Sequence, residues 1–388
     1  MVIIPIGSGK GGVGKSLLAA NLSIALAEAG RRVVLVDLDL GASNAHTMLG
    51  IRSVSRGIGT FLSAPRTSFD EIILPTEYDG LSFVPGDAEV PGAANVKAAQ
   101  KKRLVRCLGS LDFDFMILDL GPGAGTNQLD FFLLGAAGIV VTTPALTSLL
   151  NAYLFLKNVV FRVMHATVDP QSRAGAILEE VRRDREGGLQ RASVPRILEM
   201  IAGEDPAGHA LLSRALERLR PRLVLNMVED PAEAEKGEKL RASARGYLGI
   251  EVSHLGVIVR DELQSVALGS RVPILRYKPG CVLSRGVYRI AEKVLAAPVE
   301  EPGGAPWRER AGEEHDPPLP GPEAEAEAEE DFKGMRRDLE DLLRSGALSM
   351  SDLVESVRTQ QIELSTLRRE NALLRARMRR DARESGRS

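Results

Sequence analysis

The sequence predicts an α/β protein whose core is a doubly wound, mostly parallel sheet, and three observations carry that prediction. Short apolar runs recur through residues 1–298 with helical stretches between them, the alternation expected of parallel strands covered on both faces. A glycine-rich loop joins the first run to the first helical stretch. Acidic or amide residues end several of the runs, at the carboxyl edge where such sheets bind ligands.

The first run, residues 2–6, reads as a buried strand, and residues 16–29 have helical periodicity that stops at Gly30. Between them lies Ser8-Gly9-Lys10-Gly11-Gly12-Val13-Gly14-Lys15-Ser16-Leu17. The spacing Gly9-x-x-x-x-Gly14-Lys15-Ser16 is the Walker A pattern of a P-loop NTPase. Backbone N–H groups from Gly9, Gly11, Gly12, Val13 and Gly14 through Leu17 are expected to wrap phosphates. Lys15 reaches the β/γ oxygens and the Ser16 hydroxyl ligates Mg²⁺. A second lysine, Lys10, stands at the opening of the loop, where its own chain's phosphates are already served by Lys15.

Further strands are expected at residues 33–37, 81–84, 115–118, 138–142, 223–226 and 255–259. The second ends in Asp37-Leu38-Asp39, whose alternate residues face the same way, so both carboxylates can address the loop. Two acids there are costly unless a cation or water network uses them. Asp119 follows residues 115–118 and leads into Gly121-Pro122-Gly123, a fit to a Walker B acid and a glycine-containing switch. Asn226 ends the strand at 223–226, although asparagine at a strand end is also common in turns.

Between Phe161 and Arg220 the pattern turns helical and highly charged, with amphipathic pieces at 178–185, 194–201 and 209–219, a helical insertion on the core domain. Residues 299–330 are rich in Glu, Pro, Ala and Gly and read as an acidic, flexible linker. Residues 331–383 read as a helical segment with a short coiled coil. With Val357 at heptad position a, Leu364, Asn371 and Met378 share that position, and Leu353, Gln360, Leu367 and Leu374 fall at d. Asn371 would favour two parallel strands in register; a lone amphipathic helix packing back on the domain is the alternative.

The loop Lys10 to Ser16 matches, residue for residue, the Lys-Gly-Gly-x-Gly-Lys-[Ser/Thr] signature of the MinD/ParA family of deviant-Walker ATPases. The stretch Asp37 to Gly50 resembles that family's switch I, most closely in its flagellar-number branch (FlhG and FleN). The resemblance covers residues 1–298, an ATPase domain, and implies ATP and Mg²⁺ as cofactors. It implies that Lys10 crosses an ATP-dependent homodimer to the partner's nucleotide. It also implies that Asp39 positions the attacking water, that Asp37 and Asp119 support the Mg²⁺ water shell, that Gly123 approaches the γ-phosphate and that Asn226 reads adenine. Residues 257–275 resemble the family's last strand and base-enclosing loop. The implied function is slow, regulatory ATP hydrolysis that times a dimerisation switch in spatial positioning, such as flagellar number, polarity or division-site selection.

Composition narrows the alternatives. Lys plus Arg number 50 against 52 Asp plus Glu in 388 residues, so overall charge makes no case for nucleic acid. A DNA-partition ATPase would need a local basic stripe, and Arg182 to Arg191 and Arg214 to Arg222 are interspersed with acids, so DNA is not expected as a partner. Only Cys107 and Cys281 are present, without the paired interfacial cysteines of a metal-cluster carrier. The run 2–6 passes straight into the phosphate loop, which argues against a secretion leader and for a cytoplasmic, peripheral-membrane or polar location. No clear membrane anchor is legible, since linker and coiled coil stand where the family usually has one. A protein partner is expected but not identified, and a nucleotide-binding scaffold working through its coiled coil is the alternative of a different class.

Overall fold

Every expected strand forms, in a computed structural model that describes residues 1–41, 43–64, 66–86, 96–183 and 192–297. In chain order the strands are β1 (Val2–Gly7), β2 (Val33–Leu38), β3 (Leu74–Pro75), β4 (Leu81–Val84), β5 (Phe115–Leu120), β6 (Ile139–Thr142), β7 (Arg222–Val228) and β8 (Ser253–Val259). They make one sheet in the order β3-β4-β2-β5-β1-β6-β7-β8. All pairings are parallel except β3 with β4. The sequence did not announce β3, a two-residue edge strand too short to show alternation; its Pro75 is tolerated because an edge needs no second ladder partner.

Alternate residues of the central strands feed opposite cores, which is why these strands read as unbroken apolar runs. Val34, Val36, Met116 and Leu118 enter one cluster, and Val33, Leu35, Phe115 and Ile117 enter the other. The second cluster is covered by α1 (Lys15–Glu28) and α13 (Val282–Ala296), with Ile274 and Leu275 of α12 (Ile274–Tyr277). Almost every residue of α1 is buried, including Asn21, which accepts the Leu275 N–H at 3.3 Å and donates to the Leu17 carbonyl at 2.8 Å. Gly30, at φ +79°, ends the α1 segment as expected.

The first cluster is covered by α4 (Ala98–Gly109), α5 (Thr126–Phe132), α6 (Leu146–Thr167), α7 (Arg173–Arg183), α8 (Val194–Glu204), α9 (Pro206–Glu217) and α10 (Ala234–Ser243). Short helices α2 (Ala45–Met48), α3 (Ile58–Ser63) and α11 (Leu263–Gly269) complete the connections. The helical insertion is present, but it begins inside α6, a single helix of 22 residues rooted next to β6. Its later pieces have caps the sequence spells out. Ser193 accepts the Arg196 N–H ahead of α8 and Asp205 accepts the Gly208 N–H at 2.8 Å ahead of α9, each followed by proline in the first turn. The linker expected at 299–330 and the coiled-coil segment expected at 331–383 lie outside the described residues.

Three helices over the first core are tied by buried charge. Asp130 of α5, 3% exposed, accepts from Lys101 Nζ of α4 and, at 2.7 Å, from Arg162 Nε of α6. Lys101 Nζ also reaches Asn127 Oδ1 at 3.3 Å. Removing the shared carboxylate strands two cations, one of them fully buried, so Asp130→Ala is expected to cost about 3 kcal/mol or more. Urea unfolding followed by circular dichroism checks this, and Lys101→Met with Asp130→Leu is expected to recover much of the loss.

Candidate functional site

The phosphate loop is built by close backbone approach. The Asn151 carbonyl of α6 occupies the space a Cβ on Gly9 would need, and the Asn226 amide does the same at Gly14. Gly12 and Gly14 take φ of +77° and +90°, left-handed values that suit glycine. Ser8, buried, donates its hydroxyl to the Lys10 carbonyl at 2.7 Å, and its own carbonyl accepts the Gly123 N–H at 3.1 Å. The loop and the glycine segment after β5 are therefore joined through backbone. Gly14 caps α1 without a side-chain acceptor, so the first-turn N–H groups face the concavity as an anion site.

The register brings the acids to this concavity. Asp37 on β2 pairs with Asp119 on β5, and Asp119 pairs with Ile6 on β1, one residue before Gly7 leads into the loop. Asp119 is 1% exposed, and neither of its carboxylate oxygens has a hydrogen-bond partner of good geometry. Burial and the neighbouring Asp37 charge push it up to about 8, with Ser16 and Lys15 offsetting only part of that rise. Asp37, fully buried, is pushed up to about 6 by burial, although the Ser43 hydroxyl at 2.7 Å and the N–H groups of Asp39 at 3.0 Å and Ala45 at 3.2 Å all donate to it. Lys15 is buried, which lowers it, while Asp119 and Asp39 pull it back up.

Most of the expected site residues converge here: Gly9 to Leu17, Asp37, Asp39, Asp119 and Gly123. Asp39 faces the segment after β5, its Oδ1 standing 3.2 Å from where a Cβ on Gly121 would be. Asp37 lies in the same concavity, its oxygens accepting from three donors of the segment that follows β2. Asn226 donates from Nδ2 to the Val13 carbonyl at 2.8 Å and so touches the loop's own backbone. Lys10 is half-buried on the loop's rim.

Sequence reading missed Ser8, Ser43 and Gln128. Gln128 of α5 lies beside Gly121 and Gly125, with Oε1 2.6 Å from where a Cβ on Gly125 would be. Ser43 serves Asp37 across six residues, beyond the reach of local turn motifs, and Gln128 meets Gly121 only through the fold. Among the described residues no group of three His, Cys, Asp or Glu side chains could hold a metal alone. The donor set nonetheless suits Mg²⁺, because a hard cation that keeps its waters needs only the Ser16 hydroxyl, the orphaned Asp119 carboxylate and phosphate oxygens.

Residues 1–164 match the model of the ParA family described as NUBPL iron-transfer P-loop NTPase. Relatives include the antiactivator FleN of Pseudomonas aeruginosa, 28% identical over 157 residues that cover 40% of this chain and 55% of that protein. The iron-sulfur cluster carrier protein of Synechocystis is 34% identical over 165 residues, 40% of this chain and 44% of that one. The septum site-determining protein MinD of Helicobacter pylori is 31% identical over 149 residues, 38% and 55%. The chain thus spans about half the length of the curated relatives it matches. In fold it is similar to MinD of Pyrococcus horikoshii solved with Mg-ADP, with a TM-score of 0.50 and 22% identity over 76% of this chain and 95% of that one.

Both buried carboxyls have folded values above the ordinary 3.8 of an aspartate. The folded chain therefore keeps protons that the unfolded chain releases; this stability is complete below about pH 4 and is lost as pH rises through about 6 and then about 8. Without divalent cation, the melting temperature is expected to fall between about pH 5 and about pH 8.5, and Asp119→Asn to flatten most of that fall. Scanning calorimetry across buffers decides it; an Asp119→Asn slope equal to the parent's refutes the account.

Proposed function

We propose that this chain, whose residues 1–164 match the ParA family model of P-loop NTPases, is an ATPase whose slow, Mg²⁺-dependent hydrolysis times an ATP-dependent dimerisation switch in spatial positioning within the cell. The observation that carries the reading is the coincidence of Lys10, Lys15, Ser16, Asp39 and Asp119 around one glycine loop, with Asp119 buried and unpartnered. A structural nucleotide site would not need an acid held at such cost.

The loop N–H groups and Lys15 bind the phosphates, and Ser16 with Asp119 holds Mg²⁺. Bound Mg²⁺ supplies charge neutralisation on the phosphate oxygens. Asp39, on the loop after β2 and facing Gly121, orients a water in this reading, and Gly123 at φ +90° lets the backbone approach the terminal phosphate. Since Ser8 and Gly123 are joined through backbone, a terminal phosphate would order loop and switch together, and its loss would release them. Lys10, on the rim, serves the nucleotide of a second copy. A role in choosing a site within the cell accords with the names of the septum site-determining protein MinD and the flagellum site-determining protein YlxH among the relatives; no described helix is long and apolar enough to cross a membrane.

Several relatives are iron-sulfur cluster carriers, which raises cluster transfer as a second reading. The chain's two cysteines do not favour it. Cys107 sits on α4, half-buried, and Cys281 is buried at the start of α13, with its sulfur accepting the Ser284 N–H at 3.4 Å. A partition ATPase acting on DNA is a third reading, and ATP-dependent, salt-sensitive DNA binding would favour it.

Light scattering on the full chain with ADP, with ATP, and with ATP on Asp39→Ala tests the switch. The expected outcome is a larger mass with ATP than with ADP, most marked in Asp39→Ala, where hydrolysis is blocked. Lys10→Ala is expected to bind ATP but to lose about 100-fold in turnover, the loss typical of removing one transition-state charge partner. A mass that nucleotide never changes would sink the switch and leave the scaffold reading.

A further inference from the structure

Two glycines of the segment after β5, Gly121 and Gly125, have no backbone reason to be glycine. Gly121 does not lie in the left-handed region, and Gly125 has φ of −64° and ψ of 158°, extended values open to any residue. Gly125 caps α5, a place that Ser, Asp or Asn fills at least as well. The atoms nearest a Cβ on Gly121 belong to two side chains: Asp39, with Oδ1 at 3.2 Å, and Gln128, with Nε2 at 3.4 Å. A Cβ on Gly125 would meet the same glutamine, whose Oε1 lies 2.6 Å away. Gln128 is what the two positions have in common. The glycine at 125 leaves this side chain room to lie along the segment, and the glycine at 121 keeps open the gap between its amide nitrogen and the Asp39 carboxylate.

Gln128 is half-buried, and among the described residues its carboxamide has no hydrogen-bond partner. Its polar neighbours on α5 are spent on packing. Asn127 accepts from Lys101 Nζ at 3.3 Å and donates to the Val96 carbonyl at 3.4 Å, and Asp130 accepts from Lys101 and Arg162. The helix is thus held from its other residues while Gln128 is turned toward Asp39, beside a glycine that follows Asp119 by two residues. Orienting a water for in-line attack takes an acceptor for one of its protons and a donor to one lone pair, which leaves the other lone pair aimed at phosphorus. Asp39 Oδ1 supplies the first and Gln128 Nε2 the second, both within reach of the open face of Gly121. Resting on the ATPase reading above, we infer that Gln128 is a catalytic residue, its carboxamide holding with Asp39 the water that attacks the terminal phosphate. That water's oxygen bonds the phosphorus as the bridging P–O bond breaks with its electron pair going to ADP; one of its protons leaves on the phosphate and the other passes to solvent.

Two readouts on the full chain with Mg²⁺ test this assignment. One is single-turnover ATP hydrolysis; the other is equilibrium binding of a non-hydrolysable ATP analogue compared with ADP plus aluminium fluoride, which mimics the phosphoryl group under attack by water. Gln128→Ala is expected to lose about 100-fold in hydrolysis and a similar factor in affinity for the aluminium fluoride complex. It is expected to bind the ATP analogue as the parent does and to keep the parent's melting temperature, because no hydrogen bond of the free fold is lost. Gly121→Ala, which fills the gap without straining the backbone, is expected to behave in the same way. Gly125→Ala, which displaces the tip of Gln128 without removing it, is expected to lose about 10-fold in hydrolysis. Added to Asp39→Ala, Gln128→Ala is expected to cost nothing further, since groups that hold one water act as a unit. Gln128→Ala turning over at the parent's rate, or weakening the ATP analogue as much as the aluminium fluoride complex, overturns the assignment, as does Gly121→Ala with undiminished hydrolysis. A parent chain that binds neither the ATP analogue nor ADP defeats the ATPase reading itself.

Discussion

Asp119, buried at the carboxyl end of β5 without a hydrogen-bond partner, is the constraint around which the site is arranged. A carboxylate in that position is unstable as an anion unless something cationic meets it, and among the described residues Lys15 and the Ser16 hydroxyl are the groups that favour its charge. Asp37 lies alongside in register and Asp39 two residues beyond, so three acids share the neighbourhood of one buried lysine. The imbalance raises the proton affinity of the two buried carboxyls. A phosphate-bound divalent ion would resolve it, which is how a resting fold can be made to respond to nucleotide.

The supports of that arrangement are mainly backbone contacts and therefore stiff. Gly9 lies under the Asn151 carbonyl, Gly14 against Asn226, and Gly123 donates to Ser8. α6, which contributes Asn151, also carries Arg162 into the buried charge cluster on Asp130 of α5, the helix that begins three residues after Gly123. The phosphate loop, the glycine segment and the helical insertion thus share rigid elements.

Much of this was legible in the residues. The apolar runs marked the strands because each central strand is covered on both faces, and the loop, Lys15, Ser16, Asp37, Asp39 and Asp119 were readable because their spacing follows the chain locally. Ser43, Gln128 and Asn151 were not, since each acts on a residue brought near by a turn or a packed helix. β3 escaped because two residues carry no period, and α6 was underestimated because its apolar residues do not announce where one long helix begins.

The role of Asn226 shows the boundary between the two kinds of knowledge. Composition, strand period and motif spacing determined the α/β class, the phosphate loop and the acids that face it, because those features are set by residues within a few positions of one another. Tertiary structure decided what each polar group spends its hydrogen bonds on: Asp37 on its own loop, Asn226 on Val13, and Asp119 on no partner. Hydrogen-bond partnership depends on which strands lie side by side and where register slips, and those distances in space have no counterpart in distances along the chain.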